Sequence, residues 1–234
     1  MSFVHFDCVT CKVRDCSILK GCDQLTLKAI NDTKHSYYLD PGQKLFCEGD
    51  PVEGIYFIKK GFVKIELNGK EGRPLILSIA GKGTILGHRS LAKQTVHHCS
   101  VKALSKVTYC VIPHDIFTEI SDKNTHLKQL IFDACLTELL LAEKKALSLA
   151  HKTVREKVAE ALVNLANLYQ YEEKKLSFRV DFCRQDIADL AGTTKEQVSK
   201  TLKDFEAKGY IKCTGKRFNY LHINSLRTIS GQPA

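Results

Sequence analysis

Residues 181–209, DFCRQDIADLAGTTKEQVSKTLKDFEAKG, constrain the fold more tightly than any other part of this chain. Ile187, Leu190 and Ala191 form one apolar helical face that stops at Gly192. Thr193 or Thr194 can then cap a new helix with Glu196 in its first turn. Val198, Leu202 and Phe205 recur at helical spacing, and Gly209 stands where a left-handed C-cap belongs. The spacing therefore predicts two short helices joined at Gly192. The opposite edge of the second carries Glu196, Ser199, Lys200 and Lys203 at i, i+3, i+4 and i+7. Such side chains reach base edges and phosphates from a helix laid in the major groove. A helical hairpin with a merely solvated polar face would show the same pattern, and the next segment decides between the two. YIKCTGKRFNYLHI, residues 210–223, reads as two apolar-alternating strands around a basic glycine-containing turn. Helix-turn-helix followed by a basic hairpin is a winged arrangement, with Lys212, Lys216 and Arg217 placed to touch phosphates.

The remaining composition fits a DNA-directed protein. The chain of 234 residues and 26.3 kDa is long enough for two modest domains. Residues 151–234 carry 15 Lys+Arg against 10 Asp+Glu, a net +5 in 84 residues, whereas residues 1–150 carry 20 against 16. The basic excess is densest where counterion release from DNA would use it. No apolar run approaches the roughly 20 residues of a membrane span, and a basic-then-apolar leader pattern is missing, so a cytoplasmic protein without membrane contact is expected. The sequence holds no phosphate-binding glycine loop, metal-hydrolase pair or nucleophile motif, so no enzyme is expected. The pair His97-His98 reads as a solvated pair in a β-loop. Without a secretion signal, the ten cysteines are not expected to form a disulfide framework. Four cluster in CVTCKVRDCSILKGC at 8–22, and most of the others read as small buried hydrophobes.

Ahead of the DNA-directed segment, residues 24–35 read as a short helix and 36–113 as all-β. Runs such as Tyr56-Phe57-Ile58 and Val63-Lys64-Ile65 are separated by closely spaced glycines, which suggests a compact barrel or roll. From His126 to Ala150 the pattern becomes a long helix. Phe132, Cys135, Leu139, Ala142, Ala146 and Leu149 follow 3-4-3-4-3 spacing, an a/d stripe. Leu130, Ile131, Leu140, Leu141 and Leu147 add a second apolar side. One side can pack on the β domain and the stripe on an identical helix, since DNA-reading modules of this kind dimerise on two half-sites. Thr153 to Tyr171 reads as a further amphipathic helix, and 177–182 as a strand.

The order of β-roll, long helix and winged helix resembles the Crp/Fnr family of bacterial transcription regulators over essentially the whole chain. PGQKLFCEGDPVEGIYFIKKGFVKI (41–65) looks like that family's glycine-punctuated roll, and CRQDIADLAGTTKEQVSKTLKDFEAKGYI is close to its DNA-binding signature. The resemblance implies an α+β fold with a Cys-rich sensor segment at 1–23 and a cyclic-nucleotide-binding-like roll at 24–122. A dimerisation helix at 123–151 and a winged helix-turn-helix domain at 152–234 would follow. It further implies Arg184 on phosphate, Glu196, Ser199 and Lys200 facing bases, palindromic half-sites in double-stranded DNA, and RNA polymerase as a partner of the homodimer. Where the Fnr branch has Glu-x-x-Ser-Arg, this chain has Glu196-x-x-Ser199-Lys200; a point charge replaces a fork at guanine, so a TTGAT-like half-site is expected with relaxed preference there.

The branch is read from two further segments. Cyclic-AMP members resemble one another in a Gly-Glu-Leu and Arg-Ser cassette, but here Gly87-His88-Arg89 and His97-His98-Cys99 occupy those places. A neutral imidazole cannot replace a bidentate arginine–phosphate pair, which argues against cyclic AMP. The N-terminus is closer to the oxygen-sensing Fnr branch. Cys8-x2-Cys11-x4-Cys16 resembles its cluster-binding run, one residue shorter in the second gap, and Cys110 falls at the matching fourth position. The resemblance thus implies a cysteine-ligated [4Fe–4S] cluster and redox or oxygen sensing, with Cys22 as an alternative fourth ligand. A four-thiolate zinc site, a two-cysteine redox switch, or a different small-molecule effector without metal are the competing readings. Ala142 replaces an acidic residue of the Fnr helix, so dimerisation is expected to depend less on the sensor.

Overall fold

A computed structural model describes residues 7–69, 72–92, 95–169, 177–179, 182–215 and 217–232. The chain parts into two compact units, Met1–Asn68 with Ser78–Ala142, and Gly69–Leu77 with Glu143–Ala234. The first begins with a 3-10 turn at Arg14–Cys16 and helix α1 (Gln24–Thr33). Asp23 caps α1, its side chain accepting from the Thr26 amide at 2.7 Å. Eight strands follow: β1 (His35–Leu39), β2 (Lys44–Phe46), β3 (Gly54–Lys60), β4 (Val63–Asn68), β5 (Pro74–Ala80), β6 (Ile85–Leu86), β7 (Ser100–Ala103) and β8 (Val107–Pro113). They form two four-stranded sheets, ordered β1-β8-β3-β6 and β2-β7-β4-β5. The all-β reading of 36–113 thus holds, with a 3-10 turn at His88–Ala92 inside it.

Strand β3 shows why the roll closes. Its five consecutive buried residues, Gly54 to Ile58, are not an alternating pattern, because both faces of the strand are covered. Ile55 and Phe57 point towards α1 and two further helices, α2 (His114–Asp122) and α3 (Thr125–His151), into a core with Leu27, Ile30, Ile112, Phe117, Leu127 and Ile131. Tyr56 and Ile58 point the other way, into the core between the sheets with Val63, Val101 and Val107. The register Phe57↔Cys110 puts the Cys110 thiol on the helical side of its sheet. Helix α2 carried no sequence expectation. It intervenes between β8, which carries Cys110, and α3.

In the second unit, helix α4 (Val154–Leu168) starts at a reciprocal capping box between Thr153 and Glu156. Strand β9 (Ser177–Arg179) precedes α5 (Arg184–Ala191) and α6 (Lys195–Ala207); β10 (Ile211–Thr214), β11 (Arg217–Tyr220) and α7 (Ile223–Ser230) follow. The last strands pair in the order β10-β11-β9, so the wing is three-stranded. Val158, Leu162, Ile187, Val198, Leu202, Phe205 and Leu226 are buried, and the Tyr220 hydroxyl donates to the Leu162 carbonyl at 2.8 Å. Helix α7, which the sequence pattern did not disclose, packs on α4.

Candidate nucleic-acid interface and sensor residues

The recognition edge follows from how α6 is anchored. Gly192 closes α5 in the left-handed conformation (φ 60°), where a Cβ would lie 2.5 Å from Leu149 Cδ2. Thr194 then caps α6 by accepting from the Gln197 amide. Because Val198, Leu202 and Phe205 are buried, the helix must turn Glu196, Ser199, Lys200 and Lys203 outwards. Those four, with Lys195, line one open surface depression. The structure thus brings together the four recognition-edge residues that the sequence singled out. The Ser199 hydroxyl donates back to the Lys195 carbonyl at 2.8 Å. Glu196 is fully exposed, and its carboxyl is held below the usual range by its own backbone amide and by Thr194. Arg184 is the first residue of α5 and half-buried. In the wing, Lys212 is exposed on β10 and Arg217 begins β11, while Lys216 lies outside the described residues. Beside them, Cys213 is half-buried, and burial with the nearby Glu206 pushes its thiol up to about 12.

The long helix differs from expectation in which face it leaves bare. Phe132, Leu139, Ala142 and Ala146 of the stripe are exposed, but Cys135 packs against the helical-side core of the roll and Leu149 against the Gly192 turn. The second side was expected to cover the β domain. Ile131 is buried, yet Leu140, Leu141 and Leu147 are exposed by 58%, 56% and 64%. Leu136, which the stripe omitted, is also exposed. The physical reason is length: the core ends near Ile131 and Cys135, whereas the apolar pattern continues for a dozen residues beyond it. At its C-terminal end α3 is tied to the DNA-directed unit by polar contacts. Lys145 donates to the Leu190 carbonyl, Ser148 to Glu160, and Lys152 Nζ to Glu160 Oε1 and the Ser230 carbonyl, both at 2.7 Å.

The N-terminal cysteines do not act as one group. Cys8 is buried, its sulfur accepting from Lys34 Nζ at 2.8 Å and its amide donating to Asn31 Oδ1 at 3.0 Å. Burial pushes the Cys8 thiol up, and the Lys34 ammonium opposes that rise. Cys8, Cys11 and Cys110 line one small cavity together with Arg14, Lys34 and Lys59. Cys110 Sγ lies 3.3 Å from Ser36 Oγ. Cys16 is exposed and rests on the turn before β6, where a Cβ on Gly83 (φ 88°) would meet the Cys16 carbonyl at 2.1 Å. Cys22 packs against the helical-side core instead of lining the cavity. Among the described residues, no three His, Cys, Asp or Glu side chains are arranged to hold a metal ion. Of the four thiols expected to hold an iron–sulfur cluster, Cys8, Cys11 and Cys110 line one cavity without being arranged as a metal site, and Cys16 does not line it.

Gly87-His88-Arg89 and His97-His98-Cys99 also meet, around a separate cavity that Glu138 of α3 helps to line. His97 is not solvated: it is 5% exposed and stacks on Phe46 at 3.7 Å between centroids. The burial is a tertiary effect, since the loop folds inward over Phe46.

Comparison with known proteins agrees with this architecture. Residues 37–124 match the family profile described as a cyclic nucleotide-binding domain, and 156–229 the Crp-like helix-turn-helix domain. The chain is 27% identical over 226 residues to electron transport regulator A of Shewanella oneidensis, covering 93% of this chain and 89% of that one. It is 28% identical over 225 residues to the anaerobic regulatory protein of Haemophilus influenzae, covering 93% and 87%. In fold it is similar to FixK2 from Bradyrhizobium japonicum, with a TM-score of 0.75 and 20% identity over 86% of this chain and 99% of that one. No described helix is long and apolar enough to cross a membrane. With both of its domains matched in order, the chain belongs to the Crp/Fnr family of DNA-binding transcription regulators.

Proposed function

We propose that this regulator reads palindromic half-sites as a homodimer, in partnership with RNA polymerase, and that its N-terminal cysteines make it redox-responsive through a [4Fe–4S] cluster. The observation that carries the sensor reading is the convergence of Cys8, Cys11 and Cys110 on one cavity edged by Arg14, Lys34 and Lys59. Iron–sulfur sites require thiolates, and a cluster with four thiolate ligands is net negative, which three neighbouring cations offset. When bound, such a cluster supplies an oxygen-labile redox centre. The chain's own part is positional. Cys110 is fixed by the β3–β8 register, whereas Cys8, Cys11 and Cys16 lie within nine residues of turns that end in the 3-10 turn Arg14–Cys16 and would have to rearrange to close on it. Cys16 would leave the Gly83 turn to do so. The names of the relatives, an anaerobic regulatory protein among them, favour the same reading. Iron and sulfide in anaerobically prepared protein test it: Cys110→Ser should abolish loading as fully as Cys11→Ser, and Cys135→Ser should not. Loading lost in Cys22→Ser but kept in Cys110→Ser would make the site local.

The thiol-switch reading has its own support in the same cavity, since two of these cysteines suffice without metal. Protein that carries neither iron nor sulfide but forms a Cys8–Cys110 or Cys11–Cys110 disulfide under mild oxidant would favour it.

For dimerisation, the bare face of α3 is the supporting feature. Phe132, Leu136, Leu139, Leu140 and Leu147 expose apolar surface that a second copy of the helix would cover. This seam replaces Cys135 and Leu149, which face their own chain.

A further inference from the structure

The last turns of α3, from Glu143 onwards, belong to the DNA-directed unit, and their polar side chains are used neither for reading DNA nor by the cysteines. Lys145 and Leu149 stand one turn apart on one side of the helix. Lys145 Nζ donates to the carbonyl of Leu190, in the last turn of α5, and Leu149 packs against the Gly192 turn that joins α5 to α6. Ser148 and Lys152, again one turn apart, both reach Glu160 of α4, with Lys152 Nζ 2.7 Å from Oε1. The same ammonium donates to the carbonyl of Ser230, the last residue of α7, also at 2.7 Å. The final carbonyls of a helix lack amide partners within it and form the negative end of its dipole, so a lysine placed there is both a donor and a matched charge. Lys145 is half-buried, and burial pulls its ammonium below the usual lysine range while Glu160 opposes that fall.

We propose that Lys145, seconded by Lys152, is a positioning residue that fixes the angle between the end of α3 and the α5–α6 pair, and so sets which half-site spacing the protein accepts. The inference deepens the half-site reading given above and rests on it. In a homodimer joined along α3, the separation of the two reading helices depends on the angle at which each α5–α6 pair leaves its own long helix. The packing of Leu149 on Gly192 holds the pair close but is non-directional, whereas a hydrogen bond to a carbonyl oxygen has a preferred direction and so resists rotation. An apolar residue at 145 would fill the same space without the desolvation cost of an ammonium, but it would make no directed bond to the end of α5. The tolerance is narrow, because one base pair of spacer moves a half-site by about 3.4 Å and turns it by about 34°.

The test is a binding selection with the full-length protein, prepared anaerobically, on duplexes carrying inverted pairs of randomised half-sites. Their spacers cover every length up to about ten base pairs, one helical turn. The unaltered protein should favour one spacer. Lys145→Met, which keeps the length of the side chain but neither its charge nor its donor, should cut the preference over the one-base-pair neighbours at least fivefold. Base preference within each half-site should stay as it was, since Glu196, Ser199 and Lys200 are untouched. Lys145→Arg, which restores a charged donor, should regain most of the discrimination. A residue that only stabilised the fold would lower affinity for every spacer alike. Should Lys145→Met melt well below the unaltered chain, Lys152→Met takes its place, with the same loss of spacer preference expected. Unchanged spacer discrimination in a folded variant, or an equal loss of affinity at all spacers, overturns the proposal. Selection of isolated half-sites by the unaltered protein, with no preferred spacer, would refute the palindromic reading and this inference with it.

Discussion

At the scale of single residues, exposure separates two kinds of DNA contact. Lys200 is exposed on the recognition edge, and Arg184 is half-buried at the start of α5. Lys200→Ala should therefore cost about 1–3 kcal/mol at one base pair and relax preference there, whereas Arg184→Ala should weaken all sequences alike. Binding selection from a randomised half-site checks this, and an unchanged preference in Lys200→Ala removes Lys200 from base reading. The thiols divide in a similar way. Thiolate is the reactive form, so burial and a neighbouring carboxylate protect a cysteine. Cys213, pushed up to about 12, should be alkylated far more slowly at pH 8 than exposed Cys183, as peptide mapping after timed labelling would show.

Among the elements, the α5–α6 turn and the middle of α3 carry the most consequential constraints. Gly192 has a positive φ and no room for a Cβ beside Leu149, so Gly192→Ala should destabilise the DNA-directed unit by about 1–3 kcal/mol. A thermal or urea melt compared with an exposed-site control, Ala207→Gly, would measure it. The recognition helix was legible in sequence because its determinants are local: a capping threonine, a glycine stop and an i, i+3, i+4 pattern. Helix α2 was not, since its nine residues between β8 and α3 owe their helix to burial of Phe117 in the roll core. In α3, Glu138 has a lowered carboxyl; burial alone would raise it, but His88 and Arg89 outweigh that effect. A carboxyl whose folded pKa lies below its unfolded value, near 4.5, stabilises the fold above that pH and loses the contribution as pH falls through the folded value. The melting temperature of Glu138→Gln should therefore fall less steeply than that of the unaltered protein between pH 5 and about 3.

For the whole molecule, the bare leucines of α3 predict its assembly. Leu139 is 55% exposed in the single chain, and Leu139→Asp would bury like charges across a two-fold seam, costing the dimer several kcal/mol. Sedimentation at micromolar concentration should show a dimer that this substitution dissociates; a monomeric unaltered protein, with and without metal, would refute the seam. Periodicity alone announced a long amphipathic helix but not which side of it would be covered, because the apolar residues run nearly all round it. The order of roll, long helix and winged helix was determined by sequence, since helix caps, strand-breaking glycines and apolar periods act over a few residues and are written in the chain. What only the tertiary structure decided involves residues far apart in sequence: the meeting of Cys8 and Cys11 with Cys110, the burial of His97 under Phe46, and the Arg89–Glu138 pair 49 residues apart. Those juxtapositions depend on sheet register and on where the roll's core ends along α3, and neither is carried by any local pattern.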